Sequence, residues 1–307
     1  MKNEQQIMAD LEKVGFPKKD KASVLKIQKM QSQLVEMGME EEAAYKTLLQ
    51  SVSSKRQDSA RGQKIIDIFR QSSLNSDEQN SYFDIKGKVE YLEKSLKHYG
   101  FRRDDFLLAV QKTPILLNVS PEKFESHVIR MDEKYAKDGL GGQRFLQMAL
   151  KHPDLVQYDF ETLDGKIQTL MDDFSRYGIK TSDLMTAFSK QPDLLTVKPE
   201  KVIYNAHLLM HHHKQGLWQV GNGEPENQEN ALRAILTTRP MGLNFGVPNL
   251  RMRRIYAILK PDETLALGTY LRTKTKLQPI LESGLIARGK TSLLERLYKR
   301  KCLTREK

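Results

Sequence analysis

The sequence has a single cysteine, Cys302, among 307 residues. One thiol cannot form an intramolecular disulfide or a cysteine-rich zinc site, and its scarcity fits a reducing compartment. Long apolar runs are also missing, since no window approaches the 18 uninterrupted apolar residues of a transmembrane helix. No Ser/His/Asp or Cys/His arrangement for nucleophilic catalysis stands out. The sequence therefore predicts a protein without enzymatic activity, cofactor or metal.

A recognisable targeting signal is absent from the N-terminus. The stretch from Met1 to Phe16 carries Glu4, Asp10 and Glu12, whereas a secretory signal has an apolar core and a mitochondrial presequence is rich in arginine and poor in acids. As written, the sequence predicts a cytoplasmic protein; an already processed chain or a signal of another kind would look the same.

The excess of positive over negative charge is confined to the last third of the chain. The net charge is +11; residues 1–200 hold 31 Lys and Arg against 31 Asp and Glu, whereas residues 201–307 hold 19 against 8. Solubility needs only mixed charge, so a one-sided excess of this size indicates a polyanionic partner. Nucleic acid and an anionic membrane surface are the two alternatives.

A unit of 39 residues recurs along the chain. Glycines, prolines and lysines mark three copies at this spacing: Gly100, Gly139 and Gly178; Pro114, Pro153 and Pro192; Lys112, Lys151 and Lys190. A fourth copy places its proline at Pro240, with nine extra residues that fit within the polar insert 221–230, and Pro279 follows 39 residues later. A degenerate copy is expected to begin near residue 61, with Asn75 in place of the proline.

Each copy has the pattern of helix, break and helix. A glycine ends one helix, and Pro114 stops the next because an interior proline loses a hydrogen bond and clashes with the preceding turn. Ser120-Pro121-Glu122 then predicts a second helix, since it combines a cap residue, a first-position proline and an acid in the first turn. The core positions predicted from helical spacing are Phe106, Leu107, Val110, Phe124, Val128 and Met131.

One such pair of helices cannot bury its own apolar face, so the copies are expected to stack. The sequence predicts an all-α solenoid, right- or left-handed, built from these repeats. We assign residues 61–307 to the repeats with their basic C-terminal segment, and residues 1–60 to a separate N-terminal helical region.

Basic residues recur at fixed positions of the copies. Lys112, Lys151 and Lys190 lie in the last turn of their predicted first helices, and Arg239 stands beside Thr238, the equivalent residue of the fourth copy. Two interpretations stay open. A cation there stabilises the helix dipole and the free carbonyls, or a row of cations along the stacked copies follows a charged backbone.

The C-terminal third carries a denser basic set. Within residues 248–260, three arginines lie off the apolar stripe on one helical turn, and the planar fork of arginine suits phosphate. We predict that nucleic acid is contacted by Lys112, Lys151, Lys190 and Arg239 of the repeats and by a second set of residues in the C-terminal third. The second set comprises Arg251, Arg253, Arg254, Arg272, Lys274, Lys276, Arg288 and Lys290.

The stretch Gly284-Leu-Ile-Ala-Arg-Gly-Lys-Thr291 fits the nucleotide-binding pattern G-x-x-x-x-G-K-[ST]. The residues before it are basic and polar and include Pro279, whereas a phosphate-binding loop follows a buried apolar strand. The sequence that follows Thr291 is too short, ending at Lys307, to include a later strand with a magnesium ligand. We interpret the stretch as a joint between two helices, with an NTPase as the remaining alternative.

The phrases PILLNVSPEKF and PDLLTVKPEKV resemble the mitochondrial transcription termination factor family. Residues 270–297 resemble its C-terminal pattern of a basic stretch, a helix ending in Gly-Leu-Ile and a last short helix. The resemblance covers about residues 61–300. It implies a curved helical solenoid that grips double-stranded nucleic acid in a basic groove and acts in transcription termination or regulation, or binds structured RNA. We expect the protein to be a monomer.

That family would place the protein in mitochondria, and the missing presequence is a departure from it. The alternative from another class is a protein-interaction scaffold, such as a bacterial protein delivered into a host cell, whose basic C-terminal third docks an acidic partner. Duplex DNA is the preferred ligand in our prediction, with RNA as the second choice.

Two further features are interpreted as structural. His211, His212 and His213 are consecutive, so on a helix they point in different directions, and no carboxylate or cysteine stands at ligand spacing. Trp218 is expected to pack under the polar insert rather than to stack on bases.

Overall fold

The structure, a computed structural model, describes residues 3–13, 21–52, 84–215, 218, 228–244 and 295. Every regular element in these ranges is helical, which confirms the predicted all-α class. None of the helices within these ranges combines the length and the apolar character needed to cross a membrane.

Eleven α-helices lie in the described ranges: α1 Glu4–Lys13, α2 Lys21–Glu36, α3 Glu41–Val52, α4 Ile85–Ser95, α5 Arg103–Lys112, α6 Pro121–Tyr135, α7 Gly142–Lys151, α8 Phe160–Phe174, α9 Thr181–Lys190, α10 Pro199–Lys214 and α11 Gln228–Thr238. Short 3-10 turns lie between them: Lys97–Tyr99, Pro114–Asn118, Ala136–Asp138, Pro153–Gln157, Ser175–Tyr177, Pro192–Leu195 and Pro240–Asn244. Because α11 begins at Gln228, the last three residues of the predicted insert are helical.

The chain divides into two compact units. One comprises Met1–Ala136 and Gly141–Asp159, and the other comprises Lys137–Leu140 and Phe160–Lys307. The boundary predicted after residue 60, and the degenerate copy predicted near residue 61, lie outside the described residues.

The predicted proline breaks are confirmed in all four copies. Helices α5, α7, α9 and α11 each end two residues before their proline, and that proline opens a 3-10 turn. In the first of these turns Leu116 and Leu117 are buried. Ser120 caps α6 as expected, because its Oγ accepts a hydrogen bond from the N–H of Lys123 at 3.2 Å. The turn thus reverses the chain and contributes to the core.

The glycine joints are confirmed as well. Gly100, Gly139 and Gly178 have φ of 81, 90 and 71°, a left-handed conformation that favours glycine. After Gly100, the N–H of Phe101 donates to Leu96 O at 3.2 Å, the six-to-one bond of a Schellman cap.

The same joint occurs in the N-terminal region, where the sequence had not indicated it. Gly38 has φ of 105°, and the N–H of Met39 donates to Leu34 O at 2.9 Å. Helices α2 and α3 are therefore connected in the manner of α4 and α5. The sequence signal is weak because the separation of Gly38 from Gly100 is not a multiple of the repeat length.

Within each unit, helices of one copy pack on the matching helices of the next. In the first unit α2 contacts α4, α4 contacts α6, α3 contacts α5, and α5 contacts α7. In the second unit α8 contacts α10, and α9 contacts α11. All six predicted core side chains of α5 and α6 are buried. Each large apolar side chain so buried stabilises the fold by about 1.5–3 kcal/mol.

Candidate nucleic-acid interface

Four hydrogen-bond donors at 39-residue spacing join each copy to the turn of the next; we call them the joint donors. Lys88 Nζ donates to Leu117 O at 3.1 Å, and Lys166 Nζ donates to Leu195 O at 2.8 Å. Asn205 Nδ2 donates to Leu243 O at 2.7 Å, and His127 Nε2 lies 2.8 Å from Tyr158 O. Lys88, Lys166 and Asn205 therefore satisfy a carbonyl at the end of a 3-10 turn, a group that would otherwise lose its hydrogen bond to water. His127 does the same in the tautomer that has its proton on Nε2.

Burial shifts the pKa of three joint donors. Desolvation lowers the pKa of the Lys88 amine to about 8, against the opposing attraction of Glu122 and Asp84. Desolvation also lowers the pKa of Lys166 and that of His127, whose two ring nitrogens lie 2.7 and 2.8 Å from carbonyl oxygens. These basic groups serve the packing of the copies and do not offer their charge to a ligand.

Lys112 and Lys151 are placed differently. They end α5 and α7, two adjacent helices of the first unit, and both side chains are exposed. Within the described ranges, neither has a hydrogen-bond or ion-pair partner. Many neighbouring basic side chains of this unit are paired with acids, as Arg102 is with Asp105 at 2.7 Å and Lys123 with Asp159 at 2.9 Å. Other exposed lysines of the described part of this unit, such as Lys46 and Lys94, also have no ion pair, so what distinguishes Lys112 and Lys151 is their equivalent position at the ends of adjacent helices.

In the second unit, Lys190 occupies the position equivalent to Lys112 and Lys151, but it has a hydrogen-bond partner. Lys190 Nζ donates to the carbonyl oxygen of Thr237, in the last turn of α11. Lys190 thus binds a carbonyl in the last turn of the neighbouring helix α11 rather than one of its own helix α9. Arg239, two residues after Thr237, is exposed. All four predicted residues in the described ranges are exposed, and Lys190 differs from the other three in that it donates a hydrogen bond to a main-chain carbonyl.

The other predicted contact residues lie outside the described residues: Arg251, Arg253, Arg254, Arg272, Lys274, Lys276, Arg288 and Lys290. The stretch from Gly284 to Thr291 also lies there, so its interpretation as a joint between helices stays a prediction.

Helix α10 carries a row of side chains that the sequence analysis missed. Tyr204, His207, His211 and Lys214 follow the spacing three, four, three, which places them on one face of a helix. Tyr204 is 53% exposed, and His211 and Lys214 are also exposed. We call these four residues the α10 row. Helical spacing could have identified it, because His207 stands one turn before His211, outside the run of consecutive histidines.

The neighbouring histidines face the interior, as expected for consecutive helical positions. His212 and His213 are buried, and the ring of His213 meets Trp218 edge to face with centroids 4.6 Å apart. Trp218 is fully buried, and its Nε1 donates to Leu209 O at 3.0 Å. This confirms the interpretation of Trp218 as a packing residue. Among the described residues, no group of three or more His, Cys, Asp or Glu side chains could hold a metal ion.

The sequence matches no protein-family model and no curated protein. The resemblance of the repeat phrases to the mitochondrial transcription termination factor family therefore rests on the quoted residues alone.

Proposed function

We propose that the protein binds nucleic acid without catalysing a reaction, and that duplex DNA is its preferred ligand. The observation that carries the proposal is the pair Lys112 and Lys151, two exposed cations at equivalent ends of two adjacent helices. A polyanion with regularly spaced charges can contact both cations at once. The basic residues 245–307 supply further positive charge on the same chain.

In this proposal the helical copies stack into a solenoid, and equivalent positions form a line along it. Contacts between matching helices within each unit, together with the joint donors, support the stacking. A role in transcription termination or regulation follows the resemblance in the repeat phrases, with structured RNA as the alternative ligand.

A second candidate function is that of a protein-interaction scaffold with an acidic partner. One observation favours it: Leu108 is 54% exposed and lies one turn before Lys112, on the same face of α5. An exposed leucine beside a cation suits a partner protein that has both apolar and acidic side chains.

A titration of duplex DNA, duplex RNA and single strands across salt concentrations separates the two functions. For phosphate contacts, log K falls linearly with log salt, by about 0.9 for each phosphate neutralised. The double variant Lys112→Ala, Lys151→Ala should therefore bind duplex DNA more weakly, with a slope shallower by about 1.8. The triple variant Arg251→Ala, Arg253→Ala, Arg254→Ala should bind duplex DNA more weakly than the double lysine variant. Its slope of log K against log salt should also be shallower than that of the double variant.

The matched control is Lys46→Ala with Lys94→Ala, which removes two exposed lysines of the same unit from other positions. Equal weakening by the control would mean that attraction is global and that the lysine pair is no contact site. An absence of duplex binding even at low salt would reject the proposed function in favour of the scaffold.

A further inference from the structure

The α10 row has aromatic, imidazole and cationic side chains in sequence along one exposed helix face. Tyr204 lies at its start with 53% of its surface exposed, and Lys214 lies at its end. At a rise of about 1.5 Å per residue, the distance between them along the helix is about 15 Å. This is the length of four to five stacked nucleotides at about 3.4 Å each.

His207 is held in a fixed orientation within the row. Its Nε2 lies 2.8 Å from Asp173 Oδ2 and 3.4 Å from the Tyr177 hydroxyl oxygen. The rings of His207 and Tyr177 pack edge to face, with centroids 5.6 Å apart. The side chain nevertheless stays 42% exposed. A ring that is fixed before a ligand arrives loses little conformational entropy when the ligand stacks on it.

The fold itself does not require this row. At the positions one and two repeat lengths before Tyr204 the chain has Gly165 and Ser126, and the positions equivalent to His211 have Asp172 and Glu133. Helices α8 and α6 thus have small or acidic side chains at the positions of Tyr204 and His211, and they have Gln168 and Ile129 at that of His207. The aromatic and basic character is specific to α10, so it calls for an explanation other than packing.

We propose that the α10 row is a stacking site for single-stranded nucleic acid, distinct from the duplex contacts of Lys112 and Lys151. Exposed aromatic rings stack on unpaired bases, which a duplex keeps in its interior, and a nearby cation contacts the phosphate backbone. The inference rests on the proposed function to the extent that the ligand is nucleic acid. Glu200 begins the same helix face one turn before Tyr204, and its carboxylate repels the strand at that end.

Fluorescence anisotropy with labelled dT and U oligonucleotides at low salt tests the site in the full-length chain. Tyr204→Ala should weaken binding by about 5- to 150-fold, the value of one stacked base, whereas Tyr204→Phe should bind normally. Irradiation of the complex should crosslink the strand to the Tyr204 peptide. Glu200→Gln should strengthen binding, a result that misfolding cannot produce. A comparison of U with dU, which differ only in the 2′-OH, shows whether the site prefers RNA or DNA.

Tyr91 provides the matched control. It is the other exposed tyrosine of the described residues, at 39%, but its hydroxyl is bonded to the carboxylate of Glu125. Tyr91→Ala should therefore leave strand binding unchanged. Equal binding by Tyr204→Ala and the parent protein, or equal weakening by Tyr91→Ala, would overturn the inference. If the stacking-site inference fails but the protein still binds duplex DNA, the proposed function stands. If the protein binds single strands through Tyr204 but does not bind a duplex, only the proposal of duplex binding is rejected.

Discussion

The buried amine of Lys88 should make the stability of the fold rise with pH in the alkaline range. Lys88 lines a small cavity together with apolar side chains that include Leu92, Phe106 and Phe124. Burial lowers its pKa from 10.5 to about 8. Between these two values the unfolded chain binds more protons than the folded protein, so the free energy of unfolding increases with pH.

The size of the effect follows from the shift. Each unit of pKa difference corresponds to about 1.4 kcal/mol. The contribution of Lys88 to the free energy of unfolding should therefore rise by about 3 kcal/mol between pH 7 and pH 11. About 1 kcal/mol of this appears already between pH 7 and pH 9, because only the folded pKa has been passed there. Below pH 7 the amine is charged in both states, and Lys88 adds no slope.

Urea unfolding at pH 7, 8 and 9 measures this slope, and Lys88→Met isolates it. The methionine keeps the apolar stem but does not titrate, so the stability difference between parent and variant should change by about 1 kcal/mol in favour of the parent as pH rises. Other lysines and tyrosines titrate equally in both proteins and cancel. A constant difference across this range would show that the amine stays hydrated and that the joint is open to solvent.

Two further predictions concern the joints and the glycines. Asn205→Leu should lower the free energy of unfolding by about 1–3 kcal/mol, because it leaves the buried Leu243 carbonyl without its donor; a thermal melt equal to that of the parent would contradict the joint. Gly100→Ala should destabilise by about 1–2 kcal/mol because φ is 81°, although the new methyl group would meet only Gln143 Nε2 at 3.6 Å. Gly165→Ala, in the interior of α8 with open space around it, should instead stabilise by about 0.5–1 kcal/mol, so urea unfolding of the two variants should show opposite signs.

The helical breaks could be predicted from the sequence because their causes are local. Pro114 lacks an N–H, and Gly100 can adopt a positive φ; both properties belong to the residue itself, so each acts wherever it stands. Helical spacing likewise identified the core side chains of α5 and α6. These features recur every 39 residues and reinforce one another, which is why the all-α class followed from them.

The joint donors could not be predicted in the same way. Lys88 and Lys166 match two repeat lengths apart, but His127 and Asn205 occupy the same position with other side chains, so residue identity alone does not show that the four share a role. Their shared property, an N–H directed at a carbonyl, becomes visible only when the acceptor is placed. The distinction between Lys190 and its equivalents Lys112 and Lys151 has the same origin, because it depends on a neighbour 47 residues away.

The acceptor at each joint is a main-chain carbonyl, which every residue has whatever its side chain. Leu117 and Tyr158 can therefore accept the same kind of bond, and mutation at either position leaves the acceptor in place. The sequence separation between donor and acceptor can also vary. Lys166 donates to a carbonyl 29 residues later, whereas Asn205 donates to one 38 residues later, because the nine-residue insertion lies between them. A module could thus be lengthened or diversified by evolution while its connection to the next module persists, and a protein engineer could exchange modules under the same rule.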